Sequence, residues 1–273
     1  MPVIATNNAA NSALNYLNNN SSNESSLLAK LASGSRIVNA SDDAAGLAIG
    51  TQLQASVTTY SQDQTNVQQG TSILQTADGA LAQISNILQR MMSLATEAGS
   101  GQVTNTQRTQ DINTEYSQLQ NEVTSIVSST RYAGQNVLSG SFLSNVKFLV
   151  GTTSSDTISV TVSSVSLSSL GVTGSVSSAS DALSAISNIN SAINTITQER
   201  AKIGAYESRF NFSLQDIQTN VQNISSAQSV IMDADVAQVK SNLSSTDVKT
   251  QASVAALSQA SQLPQELLRL IQS

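Results

Sequence analysis

The sequence predicts a mainly α fold: long antiparallel helical rods, coiled-coil-like helices at both ends of the chain, and a small β-rich insert in the middle. Three observations carry this. Proline occurs only at Pro2 and Pro264, so nearly the whole chain is free of the strongest helix breaker. Apolar residues recur at heptad spacing over long stretches. Around Ile158, Val160 and Val162 the period drops to two, with Thr and Ser between.

In chain order, residues 1–43 form one half of a terminal-helix domain. Their seam is Leu14, Leu17, Ser21, Glu24, Leu28, Leu31, with two polar positions in the middle. Residues 44–140 form the first part of a rod. The cleanest register is Val67, Gly70, Leu74, Ala77, Leu81, Ile84, Leu88, Met91, Ala95, ended by Gly99 and Gly101. Gly70 and Gly79 each cost up to about 1 kcal/mol in a helix interior, so packing must compensate. A shorter helix follows at 105–129, with Ile112, Leu119, Val123 and Ile126 on one side.

Residues 141–178 are the β-rich insert, in which Phe148, Leu149 and Val150 suggest a strand before the alternating one. Residues 179–235 return as the second part of the rod. With Ile186 at heptad position a, the d positions read Ile189, Ile196, Ile203, Phe210, Ile217, Ile224, Ile231, and every one is large and apolar. Roughly 50 residues at 1.5 Å each make a rod of about 75 Å, and such a seam requires a partner. Residues 236–273 close the chain with a second weak seam, Val254, Leu257, Ser261, Pro264, Leu268, Ile271. Neither terminal helix is stable alone; they pair with each other or with neighbouring copies.

Composition excludes several functions. The chain has no His and no Cys, so the commonest general base, metal ligand and thiol nucleophile are missing. Aromatics are 3% of residues with no Trp, which suits thin bundles better than a thick enzyme core. Twelve Lys plus Arg stand against eighteen Asp plus Glu, a net charge of −6, and a nucleic-acid partner would need a concentrated basic patch. No stretch is long and apolar enough to insert in a membrane, and the first twenty residues do not read as a signal peptide. No cofactor is expected.

Five stretches carry a resemblance: LASGSRIVNASDDAAGLAIG at 31–50, QTADGALAQISNILQRMMSLATEAGSG at 75–101, STRYAGQNVLSG at 129–140, RAKIGAYESRFNFSLQDIQTNVQNISSAQSVIMDAD at 200–235, and the tail QASQLPQELLRLIQS. They resemble the bacterial flagellins, over about 1–140 and 180–273. The resemblance implies a secreted, extracellular structural subunit that self-polymerises into the flagellar filament for motility, with paired termini forming the inner tubes. It implies passage through the flagellar type III export channel without cleavage. The implied partners are further copies of the chain, other flagellins, and the export chaperone, cap and junction proteins. Related alternatives are a hook–filament junction protein and a cell-surface adhesin on the same scaffold.

Arg36, Asp42, Asp43 and Gly46, together with Arg90, Leu94, Arg131 and Arg200, are carried over as structural and subunit-contact residues. The acids at 42–43 also suit a helix N-terminus. Asp233 and Asp235 read as a turn or cap before the last helix. Arg200 and Glu207, polar at a positions, read as register-fixing or inter-subunit charges. Gln89, Arg90, Leu94 and Glu115 match the family face read by an innate immune receptor, though Met92 and Ser93 stand where a basic and an acidic residue are common.

Overall fold

The computed structural model describes residues 7–140 and 142–272, with side chains as far as Gln262. The elements run α1 (Asn8–Ser33), α2 (Ala44–Gly99), α3 (Asn105–Gln107), a π-helical turn (Arg108–Ile112), α4 (Asn113–Ser129), β1 (Arg131–Tyr132), β2 (Gln135–Asn136), β3 (Ser144–Leu149), β4 (Thr157–Thr161), α5 (Ala179–Met232) and α6 (Val236–Gln272). They form two compact units: the chain through Ser56 together with Asn223 onward, and Val57–Gln222.

The second unit holds the main core. Along α2 the predicted register is the buried one: Val67, Leu74, Ala77, Leu81, Ile84, Leu88, Met91 and Ala95 are each exposed by 1% or less. Burying one such Leu or Ile is worth about 1.5–3 kcal/mol, and this row supplies the unit's cohesion. Opposite runs α5, antiparallel to α2. Its d positions Ile189, Ile196, Ile203, Phe210 and Ile217 are buried as predicted. The second inward position differs from the expected a. Ala185, Ala192 and Glu199, at g, are buried, while Ile186, Ile193 and Leu214 are half-exposed and Arg200 is exposed. The small Ala185 and Ala192 let neighbouring elements approach on that flank, Glu199 is held there by its bonds to Ser163 and Lys202, and the bulkier a residues are left at the rim.

Gly70 has a packing role. A Cβ there would stand 3.0 Å from Phe210 Cζ and 3.2 Å from Phe148 Cδ1. Its missing side chain opens the slot where these two rings meet edge to face, centroids 5.3 Å apart. Gly79 has no such neighbour, with nothing within 4 Å of its would-be Cβ, so packing does not offset its helix cost.

α2 ends at Gly99. Thr104 and Gln107 then form a capping box. Arg108, only 6% exposed, turns back to cap the end of α2. Its Nε donates to the Ala98 carbonyl at 2.6 Å, and its other nitrogens donate to Ser100 O, Val103 O and Asn105 Oδ1. The first of these satisfies a carbonyl left orphaned at the helix end, and the others tie down the loop that follows. α4 lays Tyr116 and Val123 into the same core, and burial pushes the Tyr116 hydroxyl up to about 12.

Two small antiparallel hairpins follow, β1–β2 just ahead of the insert and β3–β4 within it. In the second, Phe148 faces Ile158 and Val146 faces Val160, with an irregularity between Ser144 and Val146. Ile158, Val160 and Val162 point inward as their alternation predicts. Just beyond β4, buried Glu199 accepts from the Ser163 backbone N–H and hydroxyl and from Lys202 Nζ. Burial pushes this carboxyl up, but the Lys202 ammonium and the two Ser163 donors outweigh it and hold the group below its ordinary value.

In the first unit α1 and α6 pack antiparallel, and their register differs from the predicted one. Leu17, Glu24 and Leu31 do turn partly inward, alongside Ala13, Asn20 and Leu27, but Leu14 and Leu28 are 44% and 48% exposed. On α6 the inward row is Leu243, Thr246, Thr250, Ser253, Leu257 and Ala260, with Val254 outside. Side-chain bonds set this register. Asn20 Nδ2 donates to Ser253 Oγ at 3.0 Å, Thr250 Oγ1 to Glu24 Oε2 at 3.2 Å, and Asn7 Nδ2 to the Ala260 carbonyl at 2.6 Å. Pairing those polar groups turns the row one residue away from the leucine-richest face. The side chains of Pro264, Leu268 and Ile271 lie outside the described residues.

Candidate functional site

Within the first unit, the segment between α1 and α2 is bound to the C-terminal end of α5. Gly34, at φ +69°, ends α1 in the left-handed conformation that glycine adopts without strain. Its carbonyl accepts from Ala234 N, Arg36 N donates to the Met232 carbonyl at 2.6 Å, and Ser35 bridges Asp233. The Arg36 side chain donates to the Ile231 carbonyl through Nε at 3.0 Å and Nη2 at 2.8 Å. That satisfies an orphan carbonyl at the end of α5. The same guanidinium reaches Asp43 Oδ2 at 3.4 Å.

The two acids do separate jobs. Asp43 Oδ1 accepts from Gly46 N at 2.8 Å, capping α2 three residues on. Asp42 Oδ2 accepts from Val38 N and Asn39 N, each at 3.1 Å, and those bonds, ahead of the Lys30 charge, hold its carboxyl below the ordinary value. Gly46 has no room for a side chain: a Cβ would meet Asp43 Oδ2 at 2.5 Å and Ile37 Cδ1 at 2.9 Å. Asp235 caps α6 by accepting from Ala237 N and Gln238 N, and Ser229 Oγ bonds Asp233. Arg36, Asp42, Asp43 and Gly46 are thus brought together, and Met232, which packs against Gly50, is a member that sequence reasoning missed. The missing side chain at Gly50, one helical turn after Gly46, was the available signal.

The other predicted residues are dispersed. Arg90 pairs with Glu115 across α2 and α4, Nη2 to Oε1 at 2.6 Å, both about half-exposed, with Gln89 exposed beside them. Leu94 does not belong to that face. It is 2% exposed and part of the core, because it stands on the flank of α2 adjoining the Met91–Ala95 row. Arg131 is exposed and donates from Nη1 to the Gly134 carbonyl at 3.1 Å, tying its own turn. Arg200 finds a partner within the chain, Asp78.

The terminal pair leaves much apolar surface uncovered. Leu14, Tyr16 and Leu28 on α1, and Val236, Val248 and Val254 on α6, are all exposed. A two-helix pair with a polar-centred seam and apolar residues on its outside is built to be covered by something else. Among the described residues no group of three or more Asp or Glu side chains could hold a metal ion, and no helix is long and apolar enough to cross a membrane.

Paired end helices with uncovered apolar faces, in a chain whose other unit packs long helices around one core, define a structural assembly subunit. Two family models, the bacterial flagellin N-terminal helical region and its C-terminal counterpart, match residues 4–143 and 186–271. A flagellin of Bacillus subtilis (strain 168) is 31% identical over 296 residues, covering 96% of this chain and 97% of that one. The flagellar filament 30.7 kDa core protein of Treponema maltophilum is 32% identical over 257 residues, covering 89% and 90%. The crystal structure of Bacillus cereus flagellin superposes with a TM-score of 0.51 at 30% identity, covering 60% of this chain and 94% of that one. The chain belongs to the bacterial flagellin family. It is a structural filament subunit, exported to the cell exterior, and not an enzyme.

Proposed function

We propose that assembly of this chain is driven by burial of the outer faces of α1 and α6 against other copies. The observation that supports this is the exposure of Leu14, Tyr16, Leu28, Val248 and Val254 around a seam whose centre is polar. At roughly 25 cal/mol per Å² of apolar surface removed from water, covering these side chains favours the polymer over the monomer. Arg36, Asp42, Asp43 and Gly46 hold the turn that sets where α1 and α6 leave the long helices, so they act on assembly through geometry. On this reading the functional divisions fall where helices break, at 43/44 and 235/236, with 141–178 as the variable insert.

The export chaperone, the cap and junction proteins and other flagellins belong to the same reading as partners. An innate immune receptor would meet the exposed trio Gln89, Arg90 and Glu115, without Leu94. Arg131 and Arg200 would contribute to subunit contacts only beyond the intrachain bonds they already make. Negative-stain microscopy of depolymerised chain given short filament seeds tests the proposal. Long uniform filaments are expected, and persistent monomers or capped stubs would overturn it.

A further inference from the structure

Met232 is the last residue of α5, and three parts of the first unit meet on it. Its carbonyl accepts from Arg36 N at 2.6 Å and from Ser35 Oγ at 3.0 Å. The next two residues hold the same turn: Asp233 bridges Ser35, and Ala234 N donates to the Gly34 carbonyl at 2.9 Å. The Met232 side chain packs on α2. A Cβ at buried Gly50 would overlap Met232 Sδ and stand 2.7 Å from its Cγ, so the thioether fills a notch that glycine leaves in the helix face. One turn along, Gln228 Nε2 donates to Gln54 Oε1 at 2.6 Å and continues the contact between the same two helices.

The residue is seated yet reachable. Met232 is half-buried, whereas Met91 is fully buried in the main core and Met92 is half-buried against it. Met1 lies outside the described residues. The chain has no Cys, so methionine thioethers are its only sulfur open to oxidation. A thioether reacts with a peroxide without first losing a proton, so access governs which one reacts. The sulfur lone pair takes one peroxide oxygen, an S–O bond forms, the O–O bond breaks, and the second oxygen leaves as water. The sulfur is oxidised by two electrons and the peroxide is reduced by two. The product is polar and chiral where the thioether was apolar and pliant. Gly50 stands inside α2, where backbone N–H groups are bonded within the helix, so the new oxygen finds no donor in the notch and is drawn toward water.

We propose that Met232 is a site of reversible oxidation by peroxides, and that its sulfoxide releases the α1–α2 turn from the end of α5. The apolar contact on Gly50 holds the end of α5 against α2 while the carbonyl of the same residue holds Arg36 and Ser35. One added oxygen therefore loosens both sides of the junction together. Oxidation of Met92 has no such reach, because Met92 belongs to the second unit. The release is a property of the monomer. Slower addition to filament seeds follows from it only through the reading that this turn sets where α1 and α6 leave the long helices.

The test uses the full-length monomeric chain, exposed to hydrogen peroxide and then freed of it. Mass spectrometry of proteolytic peptides gives the oxygen gained at each methionine, and hydrogen exchange gives the protection of the Arg36 and Ala234 amides. Met232 should oxidise well ahead of Met91. Protection of both amides should fall by about tenfold or more, the scale set by a polar group placed in an apolar seat. The methionine sulfoxide reductase pair should restore it. Met232→Leu, close in volume and unable to take up oxygen, should keep its protection through the same treatment. Met232 oxidising no faster than Met91 would overturn the site. Unchanged Arg36 and Ala234 amides in chain oxidised at Met232 would overturn the release, and neither measurement depends on the variant folding. An equal loss of protection in treated Met232→Leu would assign the effect to another residue and reject the proposal as well.

Discussion

Arg200 grips Asp78 through two parallel bonds, Nε to Oδ1 at 2.8 Å and Nη2 to Oδ2 at 3.1 Å, joining α5 to α2 at the rim of the packed seam. This bidentate geometry is the kind for which arginine and lysine are not interchangeable. The partners are 41% and 35% exposed, so solvent screening limits the gain. A double-mutant cycle of Arg200→Ala and Asp78→Ala in urea should give a coupling of about 0.3–1 kcal/mol. Arg200→Lys should lose most of it. A coupling near zero would leave Arg200 free for a neighbouring subunit.

Gly70 and Gly79, both in the middle of α2, should respond oppositely to alanine. At Gly70 a Cβ arrives 3.0 Å from Phe210 Cζ and 3.2 Å from Phe148 Cδ1, and both rings are held in a packed edge-to-face pair. Gly70→Ala should destabilise the monomer by about 1–3 kcal/mol. At Gly79 the new methyl meets nothing within 4 Å, so Gly79→Ala should stabilise it by about 0.5–1 kcal/mol. Urea midpoints of the two variants, bracketing that of the parent, check both signs.

The contrast marks what was legible in the sequence. The α2 row and the d row of α5 could be read because long runs of Leu, Ile and Val leave one solution to burial. The strand at 157–161 could be read from a change of period alone. The terminal register could not, because there the deciding groups are Asn20, Glu24, Thr250 and Ser253. A hydrophobic pattern ranks those residues as breaks, whereas paired across two helices they are contacts. Leu94 was misplaced for a related reason: a motif names a face, but burial is decided by which flank of a helix meets the core. Arg108 gave no signal, since a buried arginine capping the preceding helix looks in sequence like any exposed one. Of the candidate site, Arg36, Asp42, Asp43 and Gly46 were found by resemblance, and their partners on 231–234 were not, because backbone carbonyls leave no trace in side-chain identity.

Glu199 gives the insert an acid sensitivity of its own. Its carboxyl is held below the ordinary 4.5 despite burial, by Lys202 and the Ser163 donors. A lowered acid contributes stability that is present above its unfolded value and lost as pH falls through its folded value. The anchorage of Ser163 should therefore weaken only below the ordinary glutamate range. Amide exchange at Ser163 in strong acid should rise in the parent chain, and Glu199→Gln should show the faster rate already at neutral pH. The same variant should be less stable by about 1–3 kcal/mol, because the buried amide cannot accept a charge-assisted bond from Lys202. A pH-independent Ser163 amide in the parent would reject this anchor.

If the outer faces of α1 and α6 drive assembly, each end of the chain is needed for polymerisation and neither for the rod. The core around Leu74, Leu81, Ile196 and Phe210 lies wholly within Val57–Gln222 and draws on no terminal residue. A chain lacking residues 1–30, or one lacking 245–273, should keep the far-ultraviolet signal and cooperative melting of that core. α1 and α6 hold each other through Asn20, Ser253, Glu24 and Thr250, so losing one leaves the other without a partner. An isolated helix of this composition is marginal in water, and neither truncated chain should add to filament seeds. A milder change separates the outer face from the seam: Leu14→Ser and Val254→Ser alter exposed positions and should leave monomer melting within about 0.5 kcal/mol of the parent while slowing seeded growth. Filaments of normal length from either truncated chain would falsify terminal packing as the driving contact, and unchanged growth of the serine variants would place the driving surface elsewhere on α1 and α6.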